Sequence, residues 1–147
     1  MKAITIWQPW ASLLVSGRKM YETRSWGTSF RGPIAIHAAK RPVRQTLDSL
    51  AAGQWKEREV ILDCFKRLFP APGELEQLPV GAIIGTATLV RCNLIDWDFL
   101  PKLTPMEMAL GDFTPGRYAW EFTDIVAVDP PVPASGMQGI WEWRETV

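Results

Sequence analysis

The sequence predicts an α+β domain that is mainly β, a small mixed barrel with short helices packed around it. Strand-like runs and short helices are interspersed with no regular βαβ alternation, and the strand runs contain glycines suited to bulges. The length of 147 residues suits a single core. A composition of 47% hydrophobic and 22% charged residues excludes a disordered, collagen-like or coiled-coil chain.

Each element has a local reason. Residues 2–7 alternate as a short strand, and Pro9 stands where a first helical turn tolerates it. Trp10, Leu13, Leu14 and Gly17 then share one helical face, with Gly17 placed to supply a left-handed stop after Ser16. Residues 21–26 read as a second strand whose period of two sets Glu22, Arg24 and Trp26 on one side. After the turn Phe30-Arg31-Gly32-Pro33, residues 33–39 put Ile34, Ile36 and Ala38 on one face and His37 on the other. Helices are expected over 43–50 and 57–68, separated by Ala51-Ala52-Gly53-Gln54, with Pro70-Ala71-Pro72-Gly73 ending the second. Residues 80–95 are strongly β-forming, and Gly81 and Gly85 suit a bend or bulge. Thr104 caps a short helix starting at Pro105, and a turn over 111–116 leads to a strand over 117–128 that Pro130, Pro131 and Pro133 are expected to stop. Trp141 and Trp143, alternating with Glu142 and Arg144, make the last strand. Closure into a barrel would remove exposed edges.

Several function classes fall away. Cys64 and Cys92 are too few for a disulfide framework, and with His37 as the single histidine a Cys/His zinc site lacks ligands, so no metal and no cofactor is expected. The opening stretch, broken by Gln8 and Pro9, has neither signal-peptide form nor the length of a membrane span, so no membrane association and a cytoplasmic location are expected. The net charge of zero conceals a division: eight basic against two acidic residues give the first 50 positions +6, and the rest carry −6. Such a division attracts phosphate only if strands from the two halves do not interleave.

The densest functional signal is Gln8-Pro9-Trp10-Ala11 followed by Gly17-Arg18-Lys19-Met20-Tyr21-Glu22-Thr23-Arg24. This pattern, Q-P-W-A then G-x-K-x-x-E-x-R, resembles the opening motif of ASCH domains in the PUA-like superfamily. The likeness continues through Arg31-Gly32-Pro33, Ile36-His37-Ala38, residues 81–85, Gly116-Arg117-Tyr118-Ala119-Trp120 and residues 136–141. It extends over nearly the whole chain except about 43–78, which therefore reads as a variable helical insertion in one ASCH domain spanning 1–147. The resemblance implies a PUA-like pseudobarrel, an RNA-linked role and a cleft beside the first helix into which Lys19, Glu22 and Arg24 project.

Chemically, Arg24 offers a planar fork for phosphate or a base edge, Lys19 is a compact charge, and Glu22 is placed to hold that ammonium or exchange a proton with substrate. An ion pair tying a turn to a strand is the plainer role for the same three residues. Among eight tryptophans, Trp7 or Trp26 is expected at the cleft as a stacking surface, with Trp10 and Trp143 in the core. His37, Lys40, Tyr118 and Gln138 complete the candidate ligand contacts, with Gln8 from the opening motif; a backbone-bonded imidazole or glutamine is the commoner fate.

Three functions follow. The first is binding of RNA or a modified nucleotide or nucleoside, with phosphate on Arg24 and Lys19 and a base on an aromatic ring. The second is hydrolysis of RNA or of an N4-acylated cytidine-type nucleoside, with Lys19 and Glu22 as catalytic candidates. One branch of small ASCH proteins resembles amidohydrolases of that kind, but it carries Thr where this chain has Glu22, and here Thr23 is the adjacent hydroxyl. The third is a regulatory domain binding a peptide or small effector. No protein partner is indicated. Lys19→Ala and Arg24→Ala are expected to remove ligand binding while leaving the fold nearly as stable.

Overall fold

In the computed structural model, which describes residues 1–52 and 58–145, the opening alternation forms β1 (Lys2–Ile6). Ile4 and Ile6 face one side of the sheet, and Ala3 and Thr5 the other. The first helix, α1 (Trp10–Val15), ends as its glycine requires. Gly17 has φ +78°, its N–H donates to the Leu14 carbonyl at 3.1 Å, and the Arg18 N–H reaches the Leu13 carbonyl at 3.0 Å.

The other elements are β2 (Tyr21–Arg24), β3 (Gly32–Ala38), α2 (Val43–Ala51), α3 (Arg58–Leu68), β4 (Ala82–Leu94), α4 (Pro105–Ala109), β5 (Tyr118–Pro133) and β6 (Ile140–Glu142). The expected separator residues Gly53 and Gln54, the tryptophan at Trp55 and the expected helix start at Glu57 lie outside the described residues. Thr104 caps α4 by accepting the Glu107 N–H at 3.1 Å.

The six strands form one curled sheet in the order β2-β5-β4-β3-β1-β6. All neighbouring pairs are antiparallel except β1 with β3. This is the mainly β, α+β architecture expected, with one difference: the sheet is a half-barrel with β2 and β6 at its edges. Register shifts near Ile36 in the β3–β4 pair and at three places in the β4–β5 pair bend it. At Gly85 an added Cβ would lie 2.8 Å from Val15, so the missing side chain lets α1 pack flush on the sheet.

One expectation is corrected, and one point that the sequence left open is taken further. Pro130 and Pro131 lie inside β5 rather than stopping it, and β5 ends at Pro133. Among the described residues β2 pairs with β5 only over Tyr118–Glu121, so the later stretch has a free edge on which a missing N–H costs no ladder bond. The second concerns charge, because β1, β2 and β3 of the basic part lie among β4, β5 and β6 of the acidic part. Lys2 with Glu142 at 2.7 Å, Lys19 with Glu107 at 2.7 Å and Arg44 with Glu76 at 3.0 Å join the two parts, so the two parts are interleaved in the sheet and tied by ion pairs.

The core is layered around α1. Leu14 and Ala11 pack with Ile4, Ile34, Ile36, Leu89 and Trp120 of the sheet, while Leu13 joins α2 and α3 through Leu47, Leu50, Ile61 and Phe65. On the opposite face of the sheet, Ala3, Ala35, Ile83 and Trp141 are covered by the later part of β5 and the residues after it. Both faces at the centre of the sheet are therefore buried, which explains why β3 is buried at five consecutive positions.

Candidate functional site

A cleft of about 820 Å³ opens between the end of β1, the start of α1, β2 and the segment 108–117. Lys19, Glu22, Thr23 and Arg24 line one side of it, and Trp7, Trp10 and Phe113 supply aromatic wall. Of the candidate residues read from the sequence, the structure brings together here Trp7, Lys19, Glu22 and Arg24.

Lys19 is only 3% exposed. Its Nζ donates to Glu107 Oε2 at 2.7 Å and to the Tyr21 carbonyl, and it stands 5.2 Å from the centre of the Phe113 ring. Glu107, 4% exposed, also accepts the Met20 N–H. Thus Glu107, not Glu22, holds the ammonium. Buried charges persist only when paired and hydrogen-bonded, and each oxygen of this carboxylate has a partner. At Gly111 an added Cβ would lie 3.2 Å from Lys19 Nζ and 2.7 Å from the Phe113 ring, so glycine permits the close approach.

Glu22 and Arg24 follow the period of two in β2 and pair with each other at 3.3 Å. Arg24 Nη2 also donates to the Thr5 carbonyl at 2.6 Å, and Glu22 Oε1 accepts the Thr23 N–H at 3.1 Å. The pair thus presents a fixed donor beside a fixed acceptor. Arg117 bonds the Asp112 carbonyl at 3.1 Å and approaches its carboxylate at 3.5 Å. Burial raises the Asp112 pKa, but hydrogen bonds from Thr114 and the Arg117 guanidinium outweigh it and hold the carboxyl below its ordinary value. Each of the three described cations lining the cleft therefore has an acidic partner.

Trp7 is 46% exposed, and the Arg41 guanidinium lies 4.2 Å from its ring centre. Trp10, expected in the core, has both locations: it packs on the core clusters, lies edge-on to Phe65 at 5.5 Å, donates Nε1–H to the Leu110 carbonyl at 2.8 Å and lines the cleft.

The remaining candidates lie elsewhere. Gln8 is 1% exposed and binds Ser12 and the Pro79 carbonyl, tying the start of α1 to the approach of β4. Trp26 stands edge-on to Trp120 at 4.9 Å, and its carbonyl accepts the Trp120 Nε1–H. His37 is buried on the far side of the sheet beside Trp141, with Nε2 at 2.8 Å from the Ala134 carbonyl and Nδ1 at 3.2 Å from Thr5 Oγ1. Because a carbonyl only accepts, Nε2 carries the proton and Nδ1 accepts from Thr5. Burial holds the His37 pKa below 6.5. Lys40 is exposed beside Gly81, Tyr118 packs over Gly27, and Gln138 is exposed; none of the three lines the cleft.

Sequence reasoning missed Glu107, Arg41, Asp112 and Arg117. Glu107 had a signal, since Thr104-x-x-Glu107 is a capping-box spacing, although here its carboxylate binds Lys19 and Met20. Arg41 lies within no recognised motif, and its position over Trp7 depends on the fold. Among the described residues no three His, Cys, Asp or Glu side chains cluster as a metal site, and no helix is long and apolar enough to cross a membrane.

Comparison with known proteins gives the same family that the motifs suggest. The ASCH domain family profile matches residues 4–131. Over 90 residues the chain is 37% identical to Activating signal cointegrator 1 of Homo sapiens, and equally to that of Mus musculus. The aligned part is 60% of this chain but 14% of each relative, so this chain spans a small fraction of those proteins.

Proposed function

This chain belongs to the ASCH domain family, and from that premise we propose that its cleft binds one nucleoside or nucleotide unit of single-stranded RNA. The observation that carries the reading is the meeting of a half-exposed tryptophan with the Glu22–Arg24 pair in one cleft of about 820 Å³. Unpaired RNA bases are recognised by stacking on aromatic rings and by hydrogen bonds to their edges, and this cleft supplies both. Arg24 donates to a base edge or phosphate oxygen, and Glu22 accepts from an exocyclic amine or a ribose hydroxyl. Lys19 sets the floor through Glu107.

The hydrolase reading receives less support from this geometry. Lys19 Nζ is engaged with Glu107 and the Tyr21 carbonyl, and among the described residues it makes no hydrogen bond to Thr23, whereas nucleophile activation requires a base within reach of that hydroxyl. Incubating the protein with a short single-stranded RNA and with N4-acetylcytidine, followed by mass spectrometry and a binding titration, separates the readings. Binding that Arg24→Ala weakens at least about tenfold, with both substrates intact, supports the proposal. A product lost in Arg24→Ala would replace it with catalysis, and absence of both binding and product would remove it.

A further inference from the structure

Trp7 is a large indole left half exposed at a cleft wall, yet it is not loosely held. The Arg41 guanidinium covers it at 4.2 Å from the ring centre. That guanidinium is fixed in turn by α2: Nε donates to Thr46 Oγ1 at 3.1 Å and Nη2 to Ser49 Oγ at 3.2 Å. Thr46 is 2% exposed, so the anchor is internal to the fold. α3 is joined to the cleft as well, since its Ile61 lines it and its Phe65 packs against Trp10.

A surface arginine with no task adopts many rotamers, whereas this one makes two hydrogen bonds and a ring contact. The arrangement reduces the motion of an exposed aromatic plane beside a polar pair, which is what a flat ligand needs in order to stack without an ordering cost. We propose that Trp7 is the stacking platform for a nucleobase and that Arg41, anchored on α2, is its positioning residue, so that the helical segment after β3 takes part in ligand recognition. This rests on the reading of the cleft given above. It assigns the segment a role that the sequence left open, and it selects Trp7 over Trp26.

The test titrates adenosine and a single-stranded hexauridine into the wild type, Trp7→Leu, Arg41→Gln, Arg41→Lys and Trp97→Ala, reading dissociation constants, tryptophan fluorescence and thermal midpoints. Leucine retains apolar bulk without a π face, and Trp97 is exposed away from the cleft. Expected are quenching in the wild type that is reduced in Trp7→Leu, affinity lower by about tenfold in Trp7→Leu and about threefold in Arg41→Gln, and no change in Trp97→Ala. Arg41→Lys recovers part of the loss because the cation returns without its two-armed anchor. Wild-type binding that Trp7→Leu retains within twofold overturns the platform and leaves the cleft reading standing. Binding lost in Trp7→Leu but unchanged in Arg41→Gln overturns the role of Arg41. If neither probe binds the wild type, the cleft reading fails and takes the platform with it.

Discussion

Lys19 shows how a residue can be found in sequence and its partner missed. The G-x-K-x-x-E-x-R pattern pointed to Lys19, but the carboxylate that binds it comes from Glu107, 88 residues later, and nothing local indicates that contact. The pairing changes what Lys19→Ala should do. With the two side chains 3% and 5% exposed, removing either partner strands a buried charge, at a cost of about 3–5 kcal/mol. The expectation of an unperturbed fold is therefore replaced by a large fall in thermal midpoint for Lys19→Ala. Lys19→Met combined with Glu107→Leu should recover part of that stability, because two apolar groups avoid the stranded charge while the Met20 N–H loses its acceptor on Glu107. A double variant as unstable as the single one would show that the site needs its ions. His37 gives the second prediction at this scale. Its folded pKa lies below the 6.5 of the free side chain, so between the two values the unfolded chain binds more protons than the folded one. Stability contributed by neutral His37 is present above pH 6.5 and falls as the pH drops through the folded value. Urea unfolding at pH 7.5 and at steps down to pH 5 should show that fall, reduced in His37→Gln. Equal slopes in both proteins would assign the acid sensitivity to carboxylates instead.

At the scale of elements, signals within about four residues were legible. The stop at Gly17 and the cap at Thr104 each depend on neighbours close in the chain, and each element stands where its chemistry puts it. Gly17→Ala tests the first: no heavy atom lies within 4 Å of an added Cβ, so the cost is the positive φ alone, about 1–2 kcal/mol, or a midpoint lower by about 3–6 °C. No shift would mean that the last turn of α1 can end in another way. Less legible were features set by which elements become neighbours. The path of β5 through Pro130 and Pro131 depends on where β2 stops, and the far-face cover of His37 depends on the segment after β5. Gly136 belongs to that cover. A Cβ there would lie 2.6 Å from both His37 Cε1 and Thr5 Oγ1, closer than real contacts permit, so Gly136→Ala must lift the segment. Expected are a lower thermal midpoint and faster exchange of the Trp141 indole proton, which donates to Thr5 Oγ1 at 3.0 Å.

The whole molecule has equal numbers of acidic and basic residues, and ion pairs join its basic and acidic parts at Lys2, Lys19 and Arg44. Were the sequence division of +6 and −6 also a spatial one, phosphate neutralisation would dominate binding, with affinity falling steeply in salt. The strands of the two parts interleave, and inside the cleft Lys19, Arg24 and Arg117 are matched by Glu107, Glu22 and Asp112. Pre-paired cations release few counterions when a ligand arrives, since each is already neutralised by a carboxylate. Three free cations on a single strand would give a slope of about −2 in log affinity against log salt; this cleft should give about −1 or less. Binding energy then comes from stacking and directed hydrogen bonds, which salt hardly screens, and the occupant is selected for its base more than for its charge. Hexauridine titrations from 50 to 400 mM salt measure the slope directly. A value near −3 would mean that cations outside the cleft grip the backbone and that recognition covers several nucleotides. A shallow slope, together with similar affinities for the oligonucleotide and for a free nucleoside, would confine recognition to one unit held in the cleft.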